Sequence, residues 1–117
     1  MRGLGYRKDV PSDKDLRLGV QRQELLVGVG ELPTADFNLV DLALPARDQL
    51  IYEACVGFGV ACAAYIMQGV AGLEPVEPSA GFIWWNSKKS HSDERLNVGT
   101  YMRNAFRTLT KLGIAPE

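Results

Sequence analysis

The stretch DQLIYEACVGFGVACAAYI, Asp48 to Ile66, decides the fold. Ala61, Ala63 and Ala64 favour a helix, and Cys55, Phe58, Gly59, Cys62 and Ile66 follow the i, i+3, i+4, i+7 spacing of one helical face. That spacing predicts a helix over about 53–68. Its apolar residues cover most of the circumference, which predicts a central, buried helix. Gly57 and Gly59 each cost about 1 kcal/mol against alanine in a helix. Glycines so placed predict close approach of another backbone to the first turns.

Both cysteines of the chain lie in this stretch. On one helix, seven residues separate Cys55 from Cys62 by roughly 10 Å of rise. A disulfide needs Cα atoms within about 7 Å. Two free thiols are therefore expected, as suits a reducing compartment. Cys55 falls near the helix start, where unpaired N–H groups and the helix dipole favour a thiolate. It is a candidate nucleophile by position, with small apolar packing residue as the competing reading. Cys62, in the helix interior, reads as core.

Working outward, the downstream segment GVAGLEPVEPS (Gly69–Ser79) reads as a loop, with Ser79 placed to cap a short helix over 80–89. SHSDERLN (Ser90–Asn97) reads as a polar loop. A further helix is expected over about 99–112, with Tyr101, Met102, Ala105, Phe106, Leu109 and Leu112 on its apolar side and Arg103, Arg107 and Lys111 on its wet side. Gly113 suits the position just past its end. Upstream, residues 1–20 mix charge with Pro and Gly and read as an extended polar surface arm. QELLVGVG (Gln23–Gly30) reads as a short strand. Residues 31–49 read as an ordered loop pinned by Leu32, Phe37, Leu39, Val40 and Leu42. Trp84 and Trp85 are adjacent, so on a helix they point about 100° apart; one is expected in the core and the other on a contact surface.

Composition bounds the function. The 117 residues amount to one domain, and 46% hydrophobic with 23% charged residues is an ordinary globular balance. A net charge of -1 advertises neither nucleic acid nor an anionic membrane. The longest apolar run is short of a bilayer span, and no secretory leader is evident at the N-terminus. A cytoplasmic location is expected, or a virion if the chain is phage-derived. One His and two Cys seven residues apart match no zinc spacing, so neither metal nor cofactor is expected. His91, among Lys88, Lys89, Asp93 and Glu94, reads as an exposed loop histidine; the sharper alternative folds its loop back onto Cys55.

Gln49, six residues before Cys55, can aim amide donors at an oxyanion forming beside a thiolate. A Gln upstream of a Cys that opens a buried helix resembles the papain-like cysteine peptidases, whose local Cys signature is well known. The resemblance extends along nearly the whole chain. GLGYRKDVPSDKDLRL looks like the N-terminal arm of bacterial members, and LPARDQ (Leu44–Gln49) like their approach to the active site. PSAGFIWWNSKK and NVGTYMRNAFRTLTKLGIAPE resemble their next two helical segments. The resemblance implies the helical N-terminal half of a papain-like α+β fold: residues 1–20 as an arm and 21–117 as the helical half, in one domain. It implies Cys55 as nucleophile, Gln49 with the Cys55 backbone N–H as oxyanion hole, and Gly99, with Val98 and Thr100, as the wall that pairs with substrate backbone. A peptide or protein substrate would follow.

The chain departs from the family pattern in two ways. Tyr52, Glu53, Ala54, Cys55 and Val56 stand where the signature reads C-G-[SA]-C-[WY]. Leu50 and Glu53 replace family glycines, and a carboxylate at 53 is expected to raise the thiol pKa. Secondly, the family His and Asn follow the Cys by about 130–150 residues, beyond Glu117. A half-domain inactive by itself is the expectation, completed by a partner chain or serving as a binding or structural protein in a larger assembly such as a phage particle. In either case a partner chain or further copies would cover its open face.

Overall fold

The computed structural model describes residues 5–14 and 38–117. The strand expected over Gln23–Gly30 and the loop residues Leu32 and Phe37 lie outside them. The described chain is mainly helical, with three helices: α1 (Cys55–Val70), α2 (Ala80–Lys88) and α3 (Met102–Leu112). Two short strands, β1 (Tyr6–Arg7) and β2 (Thr100–Tyr101), pair in parallel, Tyr6 opposite Thr100 and Arg7 opposite Tyr101. A 3-10 turn spans Val40–Leu42.

Local chemistry sets the helix ends. Ser79 Oγ accepts from Phe82 N–H (3.3 Å) and caps α2 as expected. Gly113 stops α3 at φ 76, its N–H donating to Leu109 O (2.9 Å). α1 starts at Cys55 rather than 53, with Ala54 as a non-helical cap at φ -109, ψ 13 and the Glu53 N–H donating to Asn97 Oδ1 (2.9 Å). α3 starts at Met102 rather than 99 because Thr100 and Tyr101 pair with the N-terminal arm.

The core is built of small residues: Val56, Val60 and Ala61 from α1, Ala80 and Ile83 from α2, Ala105 from α3. Each fully buried Val or Ile contributes about 1.5–3 kcal/mol, and the small ones let the helices approach closely. A Cβ on Gly57 would lie 2.5 Å from Ala80 O, so this glycine makes the close backbone approach expected of it; Gly59 faces open space and does not. α1 is also less enclosed than its composition predicted. It buries Val56, Gly57, Val60 and Ala61, while Gly59, Met67 and Val70 are exposed. Its apolar circumference is not wholly covered, and Met67 and Leu73 line an open apolar groove with Phe106 and Leu109.

Two further expectations change. The arm is not merely a surface feature: Gly5 is buried at φ 66, and its carbonyl accepts from Thr100 N–H (2.9 Å). Val40 does not pin its loop, being 73% exposed, whereas the Leu42 side chain lies against Gly69 of α1. Lys88, in sequence a charged neighbour of His91, is fully buried. The tryptophans divide as expected, Trp84 inward and Trp85 43% exposed.

The C-terminal tail closes against the start of α2. Ser79 N–H donates to Ala115 O (2.8 Å) and Glu117 N–H to Glu77 O (3.0 Å). Arg47 bridges Glu77 (2.9 Å) and Glu117 (3.5 Å) while its guanidinium lies 5.2 Å over the Phe58 ring. This clip holds residues 44–47 over α1, where Cys62 is half-buried under the loop.

Candidate functional site

Cys55 is the first residue of α1 and, like Cys62, carries a free thiol. The backbone N–H groups of Val56 and of Cys55 itself favour the thiolate. Burial opposes them and is the larger effect, and the Glu53 carboxylate adds to it, so the thiol pKa lies above its ordinary value. The helix N-terminus therefore does not deliver the ionised thiol that position alone suggested. Gln49 is half-buried in the turn leading to α1, its carbonyl accepting from Tyr52 N–H (3.2 Å). Leu50 follows at φ 56, a left-handed conformation that favours glycine, with its N–H on Asp48 Oδ1 (2.9 Å).

Residues 97–100 lie directly against this turn. Asn97 spans it, accepting from Glu53 N–H (2.9 Å) and donating from Nδ2 to Ile51 O (3.0 Å). Glu53 completes the contact, its Oε2 accepting from Gly99 N–H (2.9 Å). The arm passes between the two segments. A Cβ on Gly5 would sit 2.4 Å from the Glu53 carbonyl, and one on Gly99 2.3 Å from Gly5 O. Only glycines admit three backbones stacked this closely, and Gly5 additionally needs its positive φ.

The residues expected to form a wall are thus occupied from within. Val98 N–H donates to Leu96 O (3.0 Å), Gly99 N–H to Glu53 and Thr100 N–H to Gly5 O (2.9 Å). Val98 O accepts from Trp84 Nε1 (3.0 Å). Thr100 is fully buried. None of these three N–H groups stands ready to pair with an incoming backbone.

α2 supports the strip from behind. Lys88 Nζ donates to Leu96 O and lies 3.6 Å from the Trp84 ring centroid. Burial lowers the Lys88 pKa, against the pull of Asp93 and Glu94. The Trp84 ring meets Tyr52 edge to face at 5.9 Å, tying α2 to the turn before Cys55. A single chain of contacts runs from Lys88 and Trp84 through residues 96–99 to Glu53 and Cys55.

His91 is not the exposed loop histidine read from its neighbours. Its Nε2 lies 3.1 Å from Thr100 Oγ1, its ring packs edge to face on Tyr101 at 4.9 Å, and its Nδ1 is buried with no partner. Burial lowers its pKa, helped by Arg7 and Lys88. These contacts place it against β2 rather than at the Cys55 thiol.

Sequence reading missed Gly5, Asn97 and the bonding role of Glu53. The Gly-Leu-Gly-Tyr opening was the available signal for Gly5; nothing local marks Asn97. No group of three or more His, Cys, Asp or Glu among the described residues can hold a metal ion, and no described helix is long and apolar enough to cross a membrane. Compared with known proteins, the chain matches no family model, no curated protein and no solved structure.

Proposed function

We propose that the chain is the helical half of a papain-like cysteine peptidase fold, without peptidase activity of its own. One observation carries the reading. Cys55 heads α1, and the turn before it is bonded through Glu53 to Gly99, so the residues of a nucleophile and of a cleft wall share one site. Leu50 supports it, keeping a glycine-like φ of 56 where the resembled family has glycine. The absence of activity follows from chemistry. Burial and Glu53 hold the thiol protonated. The one histidine of the 117 residues is engaged with Thr100. A thiol without a base to take its proton is a poor nucleophile.

A second reading has its own observation. Exposed Met67, Val70, Leu73, Phe106 and Leu112 favour a partner surface covering this half. If the partner supplied His and Asn, Cys55 would attack a peptide carbonyl. The Gln49 amide and the Cys55 N–H would then hold the oxyanion. Glu53 would first have to leave Gly99.

Labelling with an epoxysuccinyl thiol reagent at neutral pH, with iodoacetamide as the general control, separates the readings. The isolated chain is expected to show slow labelling of Cys55 by both reagents, slower than a free cysteine. Glu53→Gln should accelerate iodoacetamide at Cys55 and leave Cys62 unchanged. Fast epoxide labelling selective for Cys55, abolished by Gln49→Ala, would overturn the inactive reading.

A further inference from the structure

By sequence, Arg107 and Lys111 belong to the wet side of a helix. The fold gathers them around a depression between α2 and α3. Lys89, just past α2, joins Ser90, Asn104, Arg107, Lys111 and Leu112 in lining a cavity of about 370 Å3. No Asp or Glu is among its described lining residues. Lys89, Arg107 and Lys111 form no ion pair among the described residues. Asp9 lines the adjoining depression with Ser90, Asn104 and Arg107, yet three cations line this cavity with no described carboxylate among them, a local imbalance that a bound anion relieves.

The end of α2 faces this cavity, and its carbonyls would repel an anion. Two of them are already engaged, and Ser87 O is held only by a 3.5 Å contact from Ser90 Oγ. Asn86 O accepts from Lys89 N–H (3.3 Å), and Lys88 O accepts from His91 and Ser92 N–H (2.9 Å each). A neutral donor is also prepared. Asn104 Nδ2 donates to Ser90 Oγ (2.7 Å), orienting that hydroxyl. The Ser90 proton reaches Ser87 O only at 3.5 Å, a contact a phosphate oxygen readily displaces. Arginine offers a planar fork matched to phosphate oxygens, and lysines act as point charges. The cavity exceeds a bare phosphate, and Leu112 gives it an apolar wall. We propose that this cavity binds a small phosphate monoester through Lys89, Ser90, Arg107 and Lys111. It goes beyond the peptidase-like reading and is independent of it.

The test is titration of the isotope-labelled full chain with glycerol 3-phosphate at low salt, followed by amide shifts in two-dimensional NMR. Saturable shifts at Ser90, Asn104 and Arg107 are expected. Arg107→Gln and Lys111→Gln should each weaken binding about tenfold, the scale of one charged hydrogen bond. Arg95→Gln, which removes equal charge outside the cavity, should not. Inorganic phosphate should bind at the same amides more weakly. Absence of saturation, equal weakening by Arg95→Gln, or tighter binding of a phosphoserine peptide than of the monoester would each overturn the proposal. Both substituted side chains are exposed, and circular dichroism checks that the variants fold.

Discussion

Replacing Gly57 by alanine should destabilise the chain although alanine is the better helix former. A Cβ at 57 would lie 2.5 Å from Ala80 O and 2.9 Å from Trp84 Cβ. Neither atom is the end of a flexible side chain, so α1 and α2 must part. Ordinary contact begins at 3.4 Å, which asks for about 0.9 Å (3.4 − 2.5). Overpacking of this kind costs about 1–3 kcal/mol, and a backbone obstacle argues for the upper end. Helix propensity returns about 1 kcal/mol, leaving a net loss of roughly 1–2 kcal/mol. Gly59→Ala in the same helix meets nothing within 4 Å and should gain about 1 kcal/mol. The two variants should differ by roughly 2–3 kcal/mol, or melting temperatures about 10 °C apart for a domain of this size. Thermal melts and urea titrations by circular dichroism read this directly. Trp84 fluorescence should shift in Gly57→Ala alone, since that tryptophan is displaced. A Gly57→Ala chain as stable as wild type, or equal shifts in both variants, would refute close helix contact at this position.

Two other outcomes follow from the site. Burial, Arg7 and Lys88 hold the His91 pKa below 6.5, so as pH falls the unfolded chain takes the proton first. Stability should be full above about pH 6.5 and decline as pH falls from there towards the folded pKa. With only one histidine in the chain, His91→Gln should flatten urea-derived stability between pH 7.5 and 5.5; an unchanged slope would place the titrating group elsewhere. Trp84→Phe removes the donor to Val98 O and should cost about 1–3 kcal/mol. Because Trp84 braces the strip that holds Gly99, amide hydrogen exchange at Gly99 and Thr100 should accelerate more than in α3. Uniform acceleration would deny that bracing.

The three helices were legible because their signals are local. Ser79 and Gly113 mark boundaries by their own backbone and side-chain chemistry, and α1 and α3 announce themselves by spacing. The same spacing overstated the burial of α1, since periodicity reports what can be buried and not how much neighbouring structure is there to bury it. Lys88 shows the opposite case. A lysine reads as solvent-facing until the Trp84 ring and Leu96 O enclose it.

The candidate site divides along the same line. The sequence by itself determined that Cys55 opens a helix, that Gln49 precedes it and that two glycines of the resembled pattern are replaced. Only the tertiary structure decided what those replacements do. Glu53 crosses 46 positions in sequence to bond Gly99, Asn97 reaches back 44 to Glu53, and Gly5 fits between the two backbones. Contacts of that separation depend on how α1, α2 and the arm pack, and no local propensity encodes them. Thiol ionisation depends on the same packing. Position on the helix favours the thiolate, but the protein packed around Cys55 and the charge of Glu53 favour the thiol, and the sum goes to the thiol.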